Sequence, residues 1–176
     1  SFAIIGPMLN PKNPFQMVGG LFTPPSDKFI LGTDNLGRDV FTQLMYGTRT
    51  SLLIGCTAGI IATSIGVTIG SIAGYKGGIV EEILMGITNV FITIPSIVVL
   101  ILLSIAIKTR SASVMGLVIG VTSWPWTARA VRAQTASLKT REHIDIARIT
   151  GFSSIEMIVL EILPYMFSYI FMAFIL

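Results

Sequence analysis

The chain has 176 residues, of which 52% are hydrophobic and only 12% are charged, and its formal net charge is +3. A soluble domain averages about 25% charged residues, so this composition excludes a single water-soluble core and indicates a membrane protein. With one cysteine and one histidine, the chain cannot form an internal disulfide and has no metal-ligand cluster. Cys56 lies in an apolar run and is expected to be a small buried side chain.

The apolar sequence SFAIIGPML at residues 1–9 fits the end of an earlier membrane span. No basic region precedes it, whereas a signal peptide would need one. The first residue is not Met, and the last residues lie in an apolar run. We therefore expect the chain to be part of a longer membrane protein.

The segment at residues 10–49 is more polar and contains two loop patterns, NPKNP and TPPSD. Either Asp34 or Asp39 can cap a following helix. The apolar residues of that helix would share one face: Val40, Phe41, Leu44 and Met45. This pattern predicts an interfacial helix that leads into the first complete span.

Four later segments contain no charged residue: residues 50–75, 83–107, 111–128 and 162–176. A helix needs about 20 residues to cross about 30 Å of hydrocarbon. The first two segments meet this length easily, the third is short but sufficient, and the fourth ends with the chain. Because lipid offers no partner for backbone groups, each segment should be helical, which predicts an all-α polytopic membrane protein.

Five glycines of the first of these segments fall within about 100° of one another at the helical period. They are Gly55, Gly59, Gly66, Gly70 and Gly74. Small residues let another helix approach closely in lipid. The stripe therefore predicts a packing face, without naming the partner helix.

The second segment contains Asn89, Thr93, Pro95 and Ser96. Pro95 should kink the helix, and Thr93 and Ser96 are placed to satisfy the freed backbone groups. The bent helix could line a translocation path, with these four residues as pathway candidates. Alternatively, the kink is merely tolerated and Asn89 bonds to a neighbouring helix, and the sequence leaves both interpretations open.

The third segment ends in Ser-Trp-Pro-Trp at residues 123–126. Tryptophan favours the interface between membrane and water. We therefore expect Trp124 and Trp126 to anchor the chain at that interface, with stacking against a substrate as the alternative.

The most distinctive region is the charged segment at residues 129–161, which lies between two apolar segments. Residues 130–149 contain good helix formers without Pro or Gly, and Gly151 is placed to end that helix in a left-handed conformation. Ser153 and Glu156 fit a capping box for a second short helix. The segment could dock a cytoplasmic motor, form a plain loop or form a DNA-binding helix-turn-helix. DNA binding is the weakest of the three because apolar spans flank the segment.

The apolar segments contain no charged residue, whereas ion-coupled transporters usually place relays there. Energy would then enter from outside the membrane. Sodium sites built from backbone carbonyls keep an ion-coupled carrier or channel open as the alternative. The chain has no phosphate-binding G-x-x-x-x-G-K-[ST] motif and no catalytic acid–base set, so it is expected neither to bind ATP nor to be an enzyme.

Three motifs resemble the membrane permease subunit of bacterial ATP-binding-cassette (ABC) importers of the dipeptide, oligopeptide and nickel class. They are LGTDNLGRD at 31–39 with YGTRTSL at 46–52, AGYKGG at 73–78, and EHIDIARITG at 142–151 with ILP at 162–164. The first fits the second permease subunit of such systems better than the first subunit. The last is similar to the cytoplasmic EAA loop, with Asp-Ile-Ala in place of the usual Glu-Ala-Ala.

The resemblance implies an ABC importer permease fold, with about four to five of six spans present, in the bacterial plasma (inner) membrane. It implies a path for peptides driven by ATP and Mg on partner subunits, with no cofactor bound by this chain. The implied partners are a second permease subunit, two cytoplasmic ABC ATPase subunits, an extracytoplasmic substrate-binding protein and the lipid bilayer, without nucleic acid.

The resemblance also assigns roles to residues. A coupling helix in the EAA loop would dock the ATPase through Glu142, Asp145, Ala147, Gly151, Ser153 and Glu156. The family motif before the second span comprises Gly32, Thr33, Asp34, Gly37, Arg38 and Asp39.

The resemblance also implies a topology. In chain order it gives the end of a first span (1–9), an extracytoplasmic segment with an interfacial helix (10–49), a transmembrane helix (50–75), a cytoplasmic loop (76–82), a transmembrane helix (83–107), an extracytoplasmic loop (108–110), a transmembrane helix (111–128), the cytoplasmic EAA or coupling-helix loop (129–161) and a truncated transmembrane helix (162–176).

Overall fold

The computed structural model describes Gly6, residues 13–107 and residues 111–175, without the side chains of residues 104, 106 and 107. The predicted end of a first span, apart from Gly6, and the predicted loop at residues 108–110 lie outside the described residues. The chain divides into two compact units, Ser1–Gly55 and Cys56–Leu176.

The regular structure of the described residues is helical. The helices are α1 (Val40–Lys76), α2 (Gly78–Thr93), α3 (Ser96–Ile107), α4 (Ala112–Leu138), α5 (Glu142–Ile149), α6 (Ser154–Glu156) and α7 (Phe167–Ile175). A π-helical segment, Met157–Ile162, and a 3-10 turn, Pro164–Met166, connect α6 to α7. The predicted all-α fold is confirmed over this part of the chain.

In the first unit, turns precede α1, and Asp39 is the residue that caps this helix. Its Oδ1 accepts the N–H of Phe41 at 3.2 Å, and the hydroxyl of Thr42 donates to its Oδ2 at 2.6 Å. The helix predicted to lead into the first complete span is continuous with that span, because the 37 residues from Val40 to Lys76 form one helix. No proline interrupts this stretch, so nothing in its backbone ends the helix earlier. The position of its first turns at a membrane interface stays a prediction.

Length and composition alone allow α1 to cross a membrane, and they allow up to three crossings if each of two bent helix pairs counts as one. The pairs are α2 with Ser96–Leu103, bent by 70°, and Ser154–Ile162 with Pro164–Ile175, bent by 40°. Among the described helices, α4 does not meet these criteria, since the sequence TSWPWT and the following Arg129 lower its hydropathy. The predicted span at residues 111–128 therefore stays a prediction.

Both bends lie at prolines. Pro95 separates α2 from α3, as predicted. Before Pro164, the N–H of Leu163 donates to the carbonyl of Ile158 at 2.9 Å, an i→i+5 bond. Because Pro164 has no N–H to offer the carbonyl of Leu160, the chain forms a wider π-helical turn there.

The single helix predicted over residues 130–149 is wrong, because α4 ends at Leu138 and α5 begins at Glu142. On one continuous helix, Leu138 and Ile144 would lie about 120° apart. The turn between them, closed by the Arg141 N–H on the Leu138 carbonyl at 3.0 Å, brings both side chains into one buried cluster. Burying such a side chain contributes about 1.5–3 kcal/mol, which outweighs local helix propensity.

The core of the second unit consists of two clusters of buried residues. One contains Val131, Leu138, Ile144, Ala147, Met157, Ile162 and Met166, and the other contains Ala62, Trp124 and Ala128.

Trp124 is 5% exposed and its ring lies 5.4 Å from that of Phe91, so its predicted role as an interfacial anchor is wrong. The small side chains of Ala62 and Ala128 leave the space that the indole fills. Trp126 and Cys56 are exposed, and for Cys56 this contradicts the expectation.

The glycine stripe on α1 packs against other helices, which confirms its predicted role. A Cβ atom on Gly66, Gly70 or Gly74 would lie between 2.5 and 2.6 Å from an atom of α4. A Cβ atom on Gly59 would lie 3.0 Å from Phe174 of α7, whereas one on Gly55 would meet nothing within 4 Å. The missing side chains therefore set how closely α1 approaches α4.

Candidate functional site

Residues 139–156 of the charged segment contain α5, a tight turn and α6. We call them the docking loop after the role that the sequence predicts for them. The inner face of α5 is fixed in the core, since Ile144 is 0% and Ala147 is 7% exposed. Its outer face presents Ile146 and Ile149, which are 63% and 86% exposed. An eight-residue helix thus has apolar residues on two faces, of which the chain itself covers only one.

Gly151 ends α5 with a φ of 90°. Its N–H donates to the Arg148 carbonyl at 3.2 Å, and the N–H of Phe152 donates to the Ala147 carbonyl at 3.4 Å. These two bonds form a Schellman motif, which satisfies carbonyls that the helix end leaves free. The predicted left-handed helix end is confirmed.

Ser153 and Glu156 form the predicted capping box. The Oγ of Ser153 accepts the Glu156 N–H at 3.3 Å, and the Oε2 of Glu156 accepts the Ser153 N–H at 2.7 Å. The second helix is short, as predicted: α6 has three residues before the π-helical segment begins. The box holds the start of that turn, where Ile155 is 75% exposed.

Five of the six predicted docking residues are exposed: Glu142, Asp145, Gly151, Ser153 and Glu156. The sixth is Ala147, whose side chain lies in the core and is not presented to a partner. Asp145 pairs with Arg148 at 3.2 Å, and an exposed pair of this kind contributes less than about 1 kcal/mol.

Sequence reasoning missed the exposed apolar residues of the docking loop: Ile146, Ile149 and Ile155. Their signal was present in α5, because apolar residues at 144, 146, 147 and 149 cannot all face one side of a helix. Because they lie in a charged segment and not in an apolar one, these side chains are candidates for contact with a partner.

The turn between α1 and α2 lies beside the docking loop. Both contribute to an open cavity of about 650 Å³, which Lys76 and Lys139 help to line. One turn further along, Arg132 of α4 forms an ion pair with Glu81 of α2. Residues 76–82 and the docking loop therefore lie at the same end of the second unit, as the implied topology requires.

Asn89 is bonded to a neighbouring helix, which was one of its two open interpretations. Its Oδ1 accepts hydrogen bonds from the Nη2 and Nε of Arg129, at 2.6 and 3.2 Å. Both residues line an open cavity of about 610 Å³ together with Glu81, Glu82, Met85, Arg132 and Gly78.

The other pathway candidates lie at the bend. The hydroxyl of Thr93 donates to the Val90 carbonyl of its own helix at 2.7 Å, and Pro95 and Ser96 are exposed. Their role in a translocation path stays a prediction.

In the first unit, Asp34 organises the motif before α1. Its Oδ1 accepts the N–H groups of Leu36 at 2.8 Å and Arg38 at 2.9 Å, and the Nε2 of Gln43 donates to its Oδ2 at 2.9 Å. The bond from the Arg38 backbone N–H is the main reason that the pKa of Asp34 lies below its ordinary value. The carboxylate is therefore the form that holds this turn together.

The remaining motif residues also build the loop. Thr33 Oγ1 accepts the Thr23 N–H at 2.8 Å and donates to the Gly20 carbonyl at 2.5 Å. Gly32 and Gly37 have φ values of 73° and 69°, and Asp39 caps α1. Among the described residues, no group of three or more His, Cys, Asp or Glu is placed to hold a metal ion.

Replacing Gly151 with Val is expected to loosen the end of α5. A β-branched residue in the left-handed region is strained by roughly 1–3 kcal/mol, so the two Schellman bonds should break more often. Hydrogen exchange at the amides of Gly151 and Phe152 measures this opening, with the backbone N–H retained in the variant. The control is Gly86→Val on α2, where a Cβ meets nothing within 4 Å, and unchanged exchange in the Gly151 variant would contradict the assignment.

The sequence of the chain is similar to those of known transport proteins. Residues 66–176 match the family described as binding-protein-dependent transport system inner membrane component. The chain is 37% identical over 163 residues to the dipeptide transport system permease protein DppC of Bacillus subtilis, which covers 92% of the chain and 51% of that protein. It is also 37% identical over 146 residues to the oligopeptide transport system permease protein OppC of Mycobacterium tuberculosis, covering 82% and 50%. The chain spans about half the length of the curated relatives that it matches.

Proposed function

This chain belongs to the family of binding-protein-dependent transport system inner membrane components, and on that premise we propose that it is a permease subunit of an ATP-driven peptide importer. It would cross the bacterial plasma membrane several times and form the path for peptides with a second permease subunit. Two cytoplasmic ATPase subunits would bind ATP and Mg, and an extracytoplasmic binding protein would deliver the substrate. Peptide as the cargo is supported by the names of the relatives, which do not favour an ion-coupled carrier.

The observation that carries this proposal is that one face of α5 in the docking loop packs in the core while the opposite face is exposed. The inner face of α5 lies in the same buried cluster as Val131 of α4 and as Ile162 and Met166, which precede α7. Because close-packed side chains transmit displacement, a partner that pushes on α5 would move α4 and α7 with it. The outer face of α5 leaves Ile146 and Ile149 free for that partner.

Reconstitution of the complete transporter in proteoliposomes tests the proposal. We expect peptide uptake only when the ATPase subunits, ATP and the binding protein are all present. An ATPase subunit that binds ATP without hydrolysing it is the matched control and should give no uptake. Uptake that follows an ion gradient without ATPase subunits would contradict the proposal and favour the ion-coupled carrier.

A further inference from the structure

We propose that the cavity beside the docking loop binds the headgroup of an anionic phospholipid, with the lipid phosphate held by Lys76, Lys139 and Arg148. The proposal rests on the membrane role proposed above, because it assumes that this end of the second unit meets the inner leaflet.

The first observation is a shallow, open basic cavity at the surface, assembled from several helices. It has a volume of about 650 Å³ and its lining includes Tyr75, Lys76, Ile79, Lys139, Arg148 and Ser154. These residues come from the end of α1, the start of α2, the turn after α4, and α5 and α6. The cavity therefore brings together basic side chains from three separate segments of the chain.

The second observation concerns the charge balance of the cavity. Within the described part of the chain, neither Lys76 nor Lys139 forms a salt bridge, and Arg148 has only its exposed pair with Asp145. The Nζ of Lys139 lies 5.8 Å from the centre of the Tyr75 ring. Glu81 also approaches this turn, but its carboxylate is paired with Arg132. The basic groups are therefore available to a phosphate.

The third observation is an apolar track that leads away from the cavity. Ile79, which lines the cavity, is followed along α2 by Ile83, Ile87 and Val90, and all four are between 48% and 75% exposed. Their spacing puts them on one face of the helix, within about 80°, over a length of about 16 Å. A free phosphate would use only the basic groups, whereas a phospholipid would also lay an acyl chain along this track.

The position of the cavity also favours a lipid. Lys76 is the last residue of α1, the helix that is long and apolar enough to cross a membrane, and Tyr75 is a residue type that prefers the membrane interface. Basic pockets between helices at the cytoplasmic surface bind anionic headgroups. An acidic segment of a partner protein could reach the basic groups, but it would not cover Ile83, Ile87 and Val90 within the bilayer.

Native mass spectrometry of the purified transporter tests the proposal, with phosphatidylglycerol or phosphatidylcholine of the same acyl chains added in detergent. We expect the unmodified protein to retain phosphatidylglycerol in preference to phosphatidylcholine. The double variant Lys76→Gln and Lys139→Gln should lose roughly 10- to 30-fold in affinity for it. The control is Lys28→Gln with Arg49→Gln, which removes the same charge from the first unit. Should the double variant not accumulate, Lys76→Gln alone changes an exposed helix end and should lose about fivefold.

Several outcomes would overturn the proposal. These are equal retention of the two lipids, unchanged retention in the lysine variant, or displacement of phosphatidylglycerol by millimolar inorganic phosphate. If the lysine variant lost the ATPase subunits from the purified transporter but retained phosphatidylglycerol unchanged, the cavity would be assigned to a partner protein instead. Because uptake and ATPase association are measured separately on the unmodified protein, failure of lipid binding leaves the proposed function standing.

Discussion

Replacing Ile149 with Asp is expected to abolish ATP-driven uptake while the chain remains folded. The side chain is 86% exposed, so its loss should change the stability of the chain very little. In contact with a partner, a buried isoleucine contributes about 1.5–3 kcal/mol, and a carboxylate in its place would also have to be desolvated. We therefore expect ATPase binding to weaken by at least about 100-fold. Titration of the ATPase subunit and uptake in proteoliposomes measure the two effects.

The matched control is Ile144→Ala in the same helix. Ile144 is 0% exposed, and truncating such a side chain typically costs 2–5 kcal/mol. This variant should lose uptake together with thermal stability, whereas Ile149→Asp should lose uptake alone. Normal uptake by Ile149→Asp would show that the outer face of α5 does not dock the ATPase.

Replacing Gly70 with Val is expected to prevent α1 from packing against α4. A Cβ at this position would lie 2.5 Å from the carbonyl oxygen of Ala128 and 2.8 Å from the Cβ of Val131. Neither neighbour can rotate away, so the helices must separate. Overpacking of a core usually costs 1–3 kcal/mol, and here separation would also expose two residues that are 0% accessible. The yield of monodisperse protein and its melting temperature in detergent measure the effect.

Gly55→Val in the same helix is the control for this experiment, because a Cβ there meets nothing within 4 Å. It carries the same change of residue type and of helix propensity. If the two variants were equally stable, the close approach of α1 to α4 would be wrong.

Features that depend on a few neighbouring residues were predictable from the sequence. Pro95 bends the chain because a proline removes a backbone donor wherever it lies in a helix. Gly151 ends α5, and Ser153 and Glu156 form a capping box, because these bonds span no more than five residues. The glycine stripe was also predictable, since the helical period alone puts its members on one face.

The tertiary structure decided what the two faces of α5 do and which side chains meet across helices. The sequence of α5 shows that its apolar residues cannot share one face, but it does not show which of them are buried. The break after Leu138 turns Ala147 into the core and leaves Ile146 and Ile149 outside. Trp124 is buried because small residues of α1 and α4 leave room for it.

The bonds of Arg129 to Asn89 and of Arg132 to Glu81 join residues 40 and 51 positions apart. Local propensity sets where a helix can bend or end, whereas burial of apolar surface between distant segments determines which of its residues a partner can reach.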